Sequence, residues 1–435
     1  MPEPVDAADV VVVGGGLAGH AAALAAAEAG AHVVLLEKRA RHGGSSALAG
    51  GGLLFAGTPL QRRAGVADSA DALRADLAAA GRGASDPALL DAYVEAQAAV
   101  YDWLCGHGAG FSLTGQPVRR LHVMAPGALV DLLHARALEH PRIRYRPGAP
   151  VVALLTNRRA VTGVIAGAGE LRSPVTSRCV VLCSGGFSRN RAMVAELAPQ
   201  CAPAVAMGGA GSDGDGLRMA MELGAQPAGM EFVEASFGAS ATAGVEPRLL
   251  YAHFDGAVIV NSLGRRFADE GSDIKALGKA VAGQPGGLAF QIFDQAVMDA
   301  SRPAPKPRDF AAALRDGLLV QAPTLAGLAD RIGMPAATLQ ESARTLGRPP
   351  YYSFACTAGL TSTYGGLRVD RAMRVLDGAG SAIRGLFAAG EIVGGFHGAG
   401  YLVGSALGKA AVFGHLAGRE AARTITRSMP SAAGT

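Results

Sequence analysis

The hydrophobic pattern changes period several times along the chain, and each change predicts an element. Val10 to Val13 is an unbroken β-branched run, as expected for a strand buried on both faces of a parallel sheet. An alanine-rich helical stretch follows, and His32 to Leu36 reads as a second strand. Ser69 to His107 reads as helical, with Asp68, Ser69 and Ser85-Asp86-Pro87 as candidate N-caps. Gly127 to Glu139 reads as another helix. Ile143 to Glu170 alternates apolar and polar positions with turn punctuation at Asn157 and Gly163, which predicts strands. Ser177 to Phe187 is a strand running into a glycine turn. From about 231 to 348 the texture changes: prolines cluster at 302–307 and amphipathic helices dominate later. Ile383 to Gly418 returns to strand, glycine and helix. The expectation is an α/β chain in three segments: 1–230, an inserted domain over 231–348, and 349–435 completing the first domain.

The turn between the first strand and helix reads Gly14-Gly15-Gly16-Leu17-Ala18-Gly19, a G-x-G-x-x-G. In that setting Gly14 permits the tight turn, Gly16 lets the backbone approach a pyrophosphate, and Gly19 allows close helix–strand packing. The helix N-terminus offers free N–H groups to the anion. Glu37, at the end of the second strand, falls where an acid meets a ribose hydroxyl. The unit predicts dinucleotide binding. The acid disfavours NADP and leaves NAD and FAD open.

Composition narrows the class. With 435 residues, 49% hydrophobic and 17% charged, the chain can bury a sizeable core. The net charge of +4 is small and no basic block stands out, so no nucleic-acid partner is expected. Five cysteines without a C-x-x-C predict reduced, buried thiols and no metal site. The acidic start, MPEPVDAAD, lacks a signal peptide's positive region, and the apolar run behind it is broken by glycines. The expectation is a cytoplasmic protein with no membrane span.

Four distant segments carry a family resemblance: the fingerprint through Glu37-Lys38, Gly43-Gly44-Ser45-Ser46, Cys183-Ser184-Gly185-Gly186-Phe187, and Ala389-Gly390-Glu391. Together they resemble the fumarate reductase/succinate dehydrogenase flavoprotein superfamily, including its ketosteroid Δ1-dehydrogenases. The resemblance implies a glutathione-reductase-like FAD-binding Rossmann domain with an inserted α+β capping domain. By position, Gly14, Gly16 and Gly19 would cradle the pyrophosphate and Glu37 the adenosine ribose. Lys38, Gly44, Ser45, Ser46 and Gly52 would line the adenine and flavin approach. Glu391 would meet the ribityl chain, and Ser405, Ala406 and Leu407 would face the pyrimidine side of the flavin. Leu17, Ala18, Gly51, Val152, Ser184, Gly185 and Gly390 complete the implied cofactor set. Membrane-bound relatives use a histidine for covalent flavin where this chain has Ser46-Ala47, so non-covalent FAD is implied.

The departures bear on the substrate. Relatives that reduce fumarate hold its carboxylates with two Arg and two His. By alignment these become Ser236, Met298, Ser362 or Thr361, and Tyr401. Ketosteroid dehydrogenases place a tyrosine in the same C-terminal block, where its hydroxyl donates to the substrate ketone. The resemblance therefore implies α,β-dehydrogenation of a ketone, with Tyr401 stabilising enolate charge, a base taking the α proton and flavin N5 the β hydride. Tyr251, His253, Asp273, Tyr364 and His397 are candidate bases, with Tyr364 and His397 ranked first because each lies in a glycine-rich segment. Arg265, Arg266 and Glu270 are expected to form a structural ion network. One alternative is a fumarate-reductase- or tricarballylate-dehydrogenase-like enzyme acting on a carboxylate, with Arg119, Arg120 and His122 as an anion site. Another is a flavin electron-transfer component without a substrate. A small-molecule substrate is expected. A separate electron acceptor is also expected, because there is no C-x-x-C-H haem motif.

Overall fold

The computed structural model describes residues 6–115, 118–233, 235–241, 247–303 and 306–427. Residues 1–5, part of the acidic start, and 304–305 of the proline cluster lie outside that set. The chain has a mixed α/β fold and divides into two compact units. The first comprises 1–190, 209–232 and 363–435, and the second 191–208 and 233–362.

The first unit is built on a six-stranded sheet. Its order is Arg374–Leu376, Ala382–Ala388, Cys179–Leu182, Val10–Val13, Val33–Leu36, Ile143–Arg146. All neighbours are parallel except the first pair. Val10–Val13 is central and buried throughout, which accounts for its unbroken apolar run. The helix Leu17–Glu28 buries every residue from Leu17 to Ala27. Its main neighbour is the C-terminal helix Ser405–Arg427. The crossing is close: a Cβ on Gly418 would overlap the Ala22 carbonyl oxygen, and one on Gly414 would overlap that of Ala18.

Two helices occupy 69–107, Ala70–Ala80 and Pro87–Gly106, capped by Ser69 and Asp86. Strands Val151–Asn157, Ala160–Ala166 and Ser173–Thr176 form a separate antiparallel run. Gly163 is a correction. It lies inside a strand, where a Cβ would overlap the Val175 carbonyl oxygen, and the turn is made instead by Arg158 and Arg159 at φ 47° and 65°.

The second unit centres on the long strand Tyr351–Leu360. It pairs with Val205–Ala206, Ser236–Ser240, Ala289–Phe293 and Val320–Ala322. That hub draws 191–208 and 349–362 into the unit. Met298 packs in its core with Phe237, Phe293 and Phe310, and Ser236 is buried. Arg266 grips Glu270 through two nitrogens, and Glu270 also accepts the Ile259 N–H. Asp273 caps the helix Ile274–Ala282, and His253 bonds Gln291.

The thiols are free, and four of the five are buried. Cys105 is exposed, contrary to the expectation of buried thiols, because it lies on the polar side of its helix between Leu104 in the core and the exposed Gly106. Among the described residues no helix is long and apolar enough to cross a membrane, and no cluster of His, Cys, Asp or Glu could hold a metal.

Candidate functional site

The fingerprint glycines differ in what demands them. Gly14 has φ 112°, and a Cβ there would overlap the Cys183 carbonyl oxygen of the neighbouring strand turn. A Cβ on Gly19 would overlap the Gly14 carbonyl oxygen. Both are therefore required by the protein itself. Gly16 is not: its nearest neighbours to a Cβ are Ser46 Oγ and Gly43 O, at 3.6 and 3.7 Å. It begins the helix with extended backbone and no side-chain cap of its own. Ser46 Oγ takes the Leu17 N–H at 3.2 Å, while the N–H groups of Ala18 and Gly19 have no carbonyl inside the helix. Amides left without a helical acceptor beside a glycine with no side chain are the kind of group that a pyrophosphate takes up.

Glu37 is buried and engaged at both oxygens. It accepts from Gly15 N at 2.7 Å and from Arg39 N at 2.7 Å. The carboxylate is thus fixed beside the glycine turn. Lys38 points elsewhere: its Nζ bonds Asp213 at 2.8 Å and Asp215 at 2.9 Å. Burial alone would lower its pKa, but the two carboxylates outweigh it and hold the ammonium above its usual value. Ser45 accepts the Gly209 N–H at 2.9 Å and meets Ser212. Gly51 and Gly52 have a packing explanation, because a Cβ would overlap the carbonyl oxygen of Met124 or crowd the Leu121 side chain. Gly44 is open on its Cβ side, and Val152 is exposed at the start of its strand.

Around Ser184 and Gly185 the chain doubles back on Glu391. A Cβ on Gly186 would overlap Thr363 Oγ1 and crowd Glu391, and Gly390 packs on Ala18. Glu391 Oε1 accepts from Thr363 N at 3.0 Å. Burial raises the Glu391 pKa, opposed by the Thr363 N–H and by the charge of Lys409. Neither Thr363 nor Lys409 was found from sequence. A signal for Lys409 existed, since it is the sole charged residue between Glu391 and Arg419.

Tyr364, His397 and Tyr401 come together. Ring centroids are 5.9 Å apart for Tyr364 and Tyr401, 5.3 Å for Tyr364 and His397, and 5.6 Å for His397 and Tyr401. His397 Nδ1 lies 3.3 Å from Ser405 Oγ, tying the group to the start of the C-terminal helix. The backbone N–H groups of Gly404 and Ala406 lie near the Tyr401 phenol. Burial raises its pKa and these two donors oppose the rise.

The residues of the alternative anion site are mostly engaged within the protein. Arg120 is buried and bonds Asp68, at 2.5 and 2.8 Å, and Asp76. Arg119 donates to the Ala64 carbonyl, and His122 is fully buried between Thr58 Oγ1 and the Arg120 carbonyl. Arg120 is neutralised and His122 is satisfied, which leaves Arg119, exposed at the surface, as the one arginine of the trio without a carboxylate partner among the described residues.

Known proteins are similar to this chain in sequence and in fold. The chain is 30% identical over 362 residues to a fumarate reductase (cytochrome) of Shewanella frigidimarina, matching 76% of this chain and 62% of that protein. It therefore spans about three-fifths of the length of that relative. An open conformation of a flavocytochrome c3 fumarate reductase superposes with a TM-score of 0.87 at 29% identity, covering 97% of this chain and 79% of the other. A 3-ketosteroid-Δ4-(5α)-dehydrogenase from Rhodococcus jostii RHA1, in complex with 4-androstene-3,17-dione, superposes with a TM-score of 0.72 at 27% identity, covering 97% and 98%. Residues 9–407 match the family model described as FAD binding domain, so the chain belongs to that FAD-binding family.

Proposed function

We propose that this chain is an FAD-dependent oxidoreductase that desaturates a CH–CH bond α,β to a ketone, in a cyclic substrate. The carrying observation is the Tyr364–His397–Tyr401 group, held to the start of the C-terminal helix through Ser405. In this reading the Tyr401 hydroxyl is the donor toward a substrate carbonyl. Such a donor stabilises negative charge on the carbonyl oxygen as the neighbouring C–H is deprotonated. Tyr364 or His397 is then the group that takes the α proton, since both lie within a ring's width of Tyr401.

FAD, when bound, supplies the two-electron acceptor. In this reading Gly16, Leu17, Ala18, Ser46 and Glu37 hold its ADP portion without a covalent bond, with Gly14 and Gly19 shaping the turn. Ser184, Gly185, Gly390 and Glu391 line the ribityl chain, and Ser405 to Leu407 the pyrimidine edge. Gly44, Ser45 and Val152 border the adenosine side. Lys38, Gly51 and Gly52 act at one remove, by fixing loops. The final electron acceptor is a separate molecule.

A second reading, reduction of an unsaturated carboxylate, is favoured by the likeness to fumarate reductases. Anaerobic bleaching of the bound flavin by a panel of cyclic ketones, ketosteroids, succinate and tricarballylate separates the two. Bleaching by ketones alone is expected. Bleaching by the carboxylates alone would overturn the ketone reading in favour of the second.

A further inference from the structure

Lys409 is a buried charge that neither the fingerprint nor the aromatic group uses. It lies one turn inside the helix Ser405–Arg427 and is 1% exposed. Its Nζ donates to the Val393 carbonyl at 3.0 Å, and the Phe396 ring centre is 6.0 Å away. Among the described residues that carbonyl is its one hydrogen-bond acceptor, although an ammonium has three donors. A lysine so placed is costly unless a negative charge offsets it. Glu391 is that charge within the resting protein. Burial drives the Lys409 pKa down, and with Glu391 opposing the fall it rests at about 8, so the ammonium form predominates at neutral pH.

The place of this cation is informative. Val393 lies two residues after Glu391 and at the start of the loop bearing His397 and Tyr401. The hydrogen bond therefore ties that loop to the C-terminal helix. Lys409 also follows Ser405 by one turn, so its charge lies behind the helix N-terminus and adds to the positive end of the dipole. Reduction of a bound flavin by two electrons and one proton leaves a negative charge on its ring. A fixed cation whose charge partner, Glu391, forms no direct ion pair with it favours that product in a dry site.

We propose that Lys409 is a positioning cation for the cofactor: it clamps the Glu391–Val393 turn to the C-terminal helix and stabilises the reduced, negatively charged FAD. The proposal rests on the placement of the flavin beside Ser405 to Leu407 and not on the substrate.

The test is an anaerobic redox titration of the FAD-loaded protein against a reference dye, with FAD content measured in parallel. Lys409→Met is expected to retain FAD while the ratio of reduced to oxidised flavin at a fixed potential falls about tenfold. For a two-electron couple that is ~30 mV. Lys409→Arg, which keeps the charge, is expected to stay near wild type. An unchanged potential in FAD-loaded Lys409→Met would overturn the proposal and leave Lys409 a packing residue. Should Lys409→Met not hold FAD, the wild-type titration decides. A midpoint above that of free FAD supports the cation, and one at or below it overturns it. Failure of the ketone panel would leave all these potentials untouched, so the two readings fail separately.

Discussion

The ring of Tyr401 lies parallel to that of Tyr364, with centroids 5.9 Å apart and planes within 10°. The two residues are 37 positions apart in sequence, and His397 closes the third side of the group. The stack limits how far the Tyr401 phenol can turn. Tyr401→Phe keeps the stack and removes only the hydroxyl. Its expected effect is a loss of about 10²-fold or more in turnover on a ketone, with FAD content unchanged. Turnover within threefold of wild type would remove Tyr401 from the chemistry.

Tyr364 and His397 are told apart by single replacements. Whichever takes the α proton is expected to cost about 10²–10⁴-fold in the rate of flavin bleaching by substrate, at unchanged FAD content. The other is expected to change the rate by less than about tenfold, through packing on the Tyr401 ring. Stopped-flow traces of Tyr364→Phe and His397→Gln make the comparison. Equal, small effects in both would mean that the base lies outside this group.

Much of the cofactor end was legible because its signals are local. Val10 to Leu36 announces strand, glycine turn, helix and strand within thirty residues, and every part is found where the pattern puts it. Tyr364 and His397 stand out by their glycine-rich context and Tyr401 through the family resemblance, and the structure brings their ring centres within 6 Å of one another. What stayed hidden depends on partners remote in sequence. Arg120 read as a free cation because Asp68 and Asp76 lie 52 and 44 residues away. Lys38 read as a cofactor contact because Asp213 and Asp215 lie 175 and 177 residues away. No spacing rule encodes such pairs. Gly163 read as a turn because glycine signals both a bend and a close backbone approach, and only the neighbouring strand shows which applies.

Glu37→Gln tests the acid of the fingerprint. Both Glu37 oxygens accept backbone N–H groups, from Gly15 and Arg39. A glutamine keeps one acceptor and turns an NH₂ toward the other donor, which leaves a buried N–H unpaired at a cost of about 1–3 kcal/mol. Because Gly15 is part of the glycine turn, that cost is expected in FAD affinity as roughly 5- to 150-fold weaker binding. Fluorescence titration of FAD into the stripped protein measures it. Wild-type affinity would show that the carboxylate charge is not needed.

The Crossing of the first and last helices predicts a purely structural failure. A Cβ on Gly418 would overlap the Ala22 carbonyl oxygen, which is backbone and cannot rotate aside. Gly418→Ala is expected to separate the helices and cost about 1–3 kcal/mol, despite alanine's better helix propensity. A lower urea midpoint is the readout. A higher midpoint would mean that the contact relaxes freely.

Asp68 supplies a pH-dependent case. Its side chain is 1% exposed against Arg120. Burial raises its pKa, but the hydrogen bonds from Arg120 and Gln61 and the Arg120 charge outweigh burial and hold it below the usual carboxylate value. A depressed folded-state pKa contributes stability that is fully present above the unfolded value near 3.9 and is lost as pH falls through the folded one. Asp68→Asn strands the buried Arg120 with the more exposed Asp76 as its remaining carboxylate. The cost at pH 7 is expected near the low end for a broken buried pair, about 3 kcal/mol. The gap between wild type and variant should stay constant from pH 7 to about pH 5 and close below pH 4, as wild-type Asp68 takes up its proton. Urea unfolding at pH 7, 5 and 3.5 follows the gap, and one that does not narrow in acid would show that shape and hydrogen bonding, not charge, make Asp68 necessary.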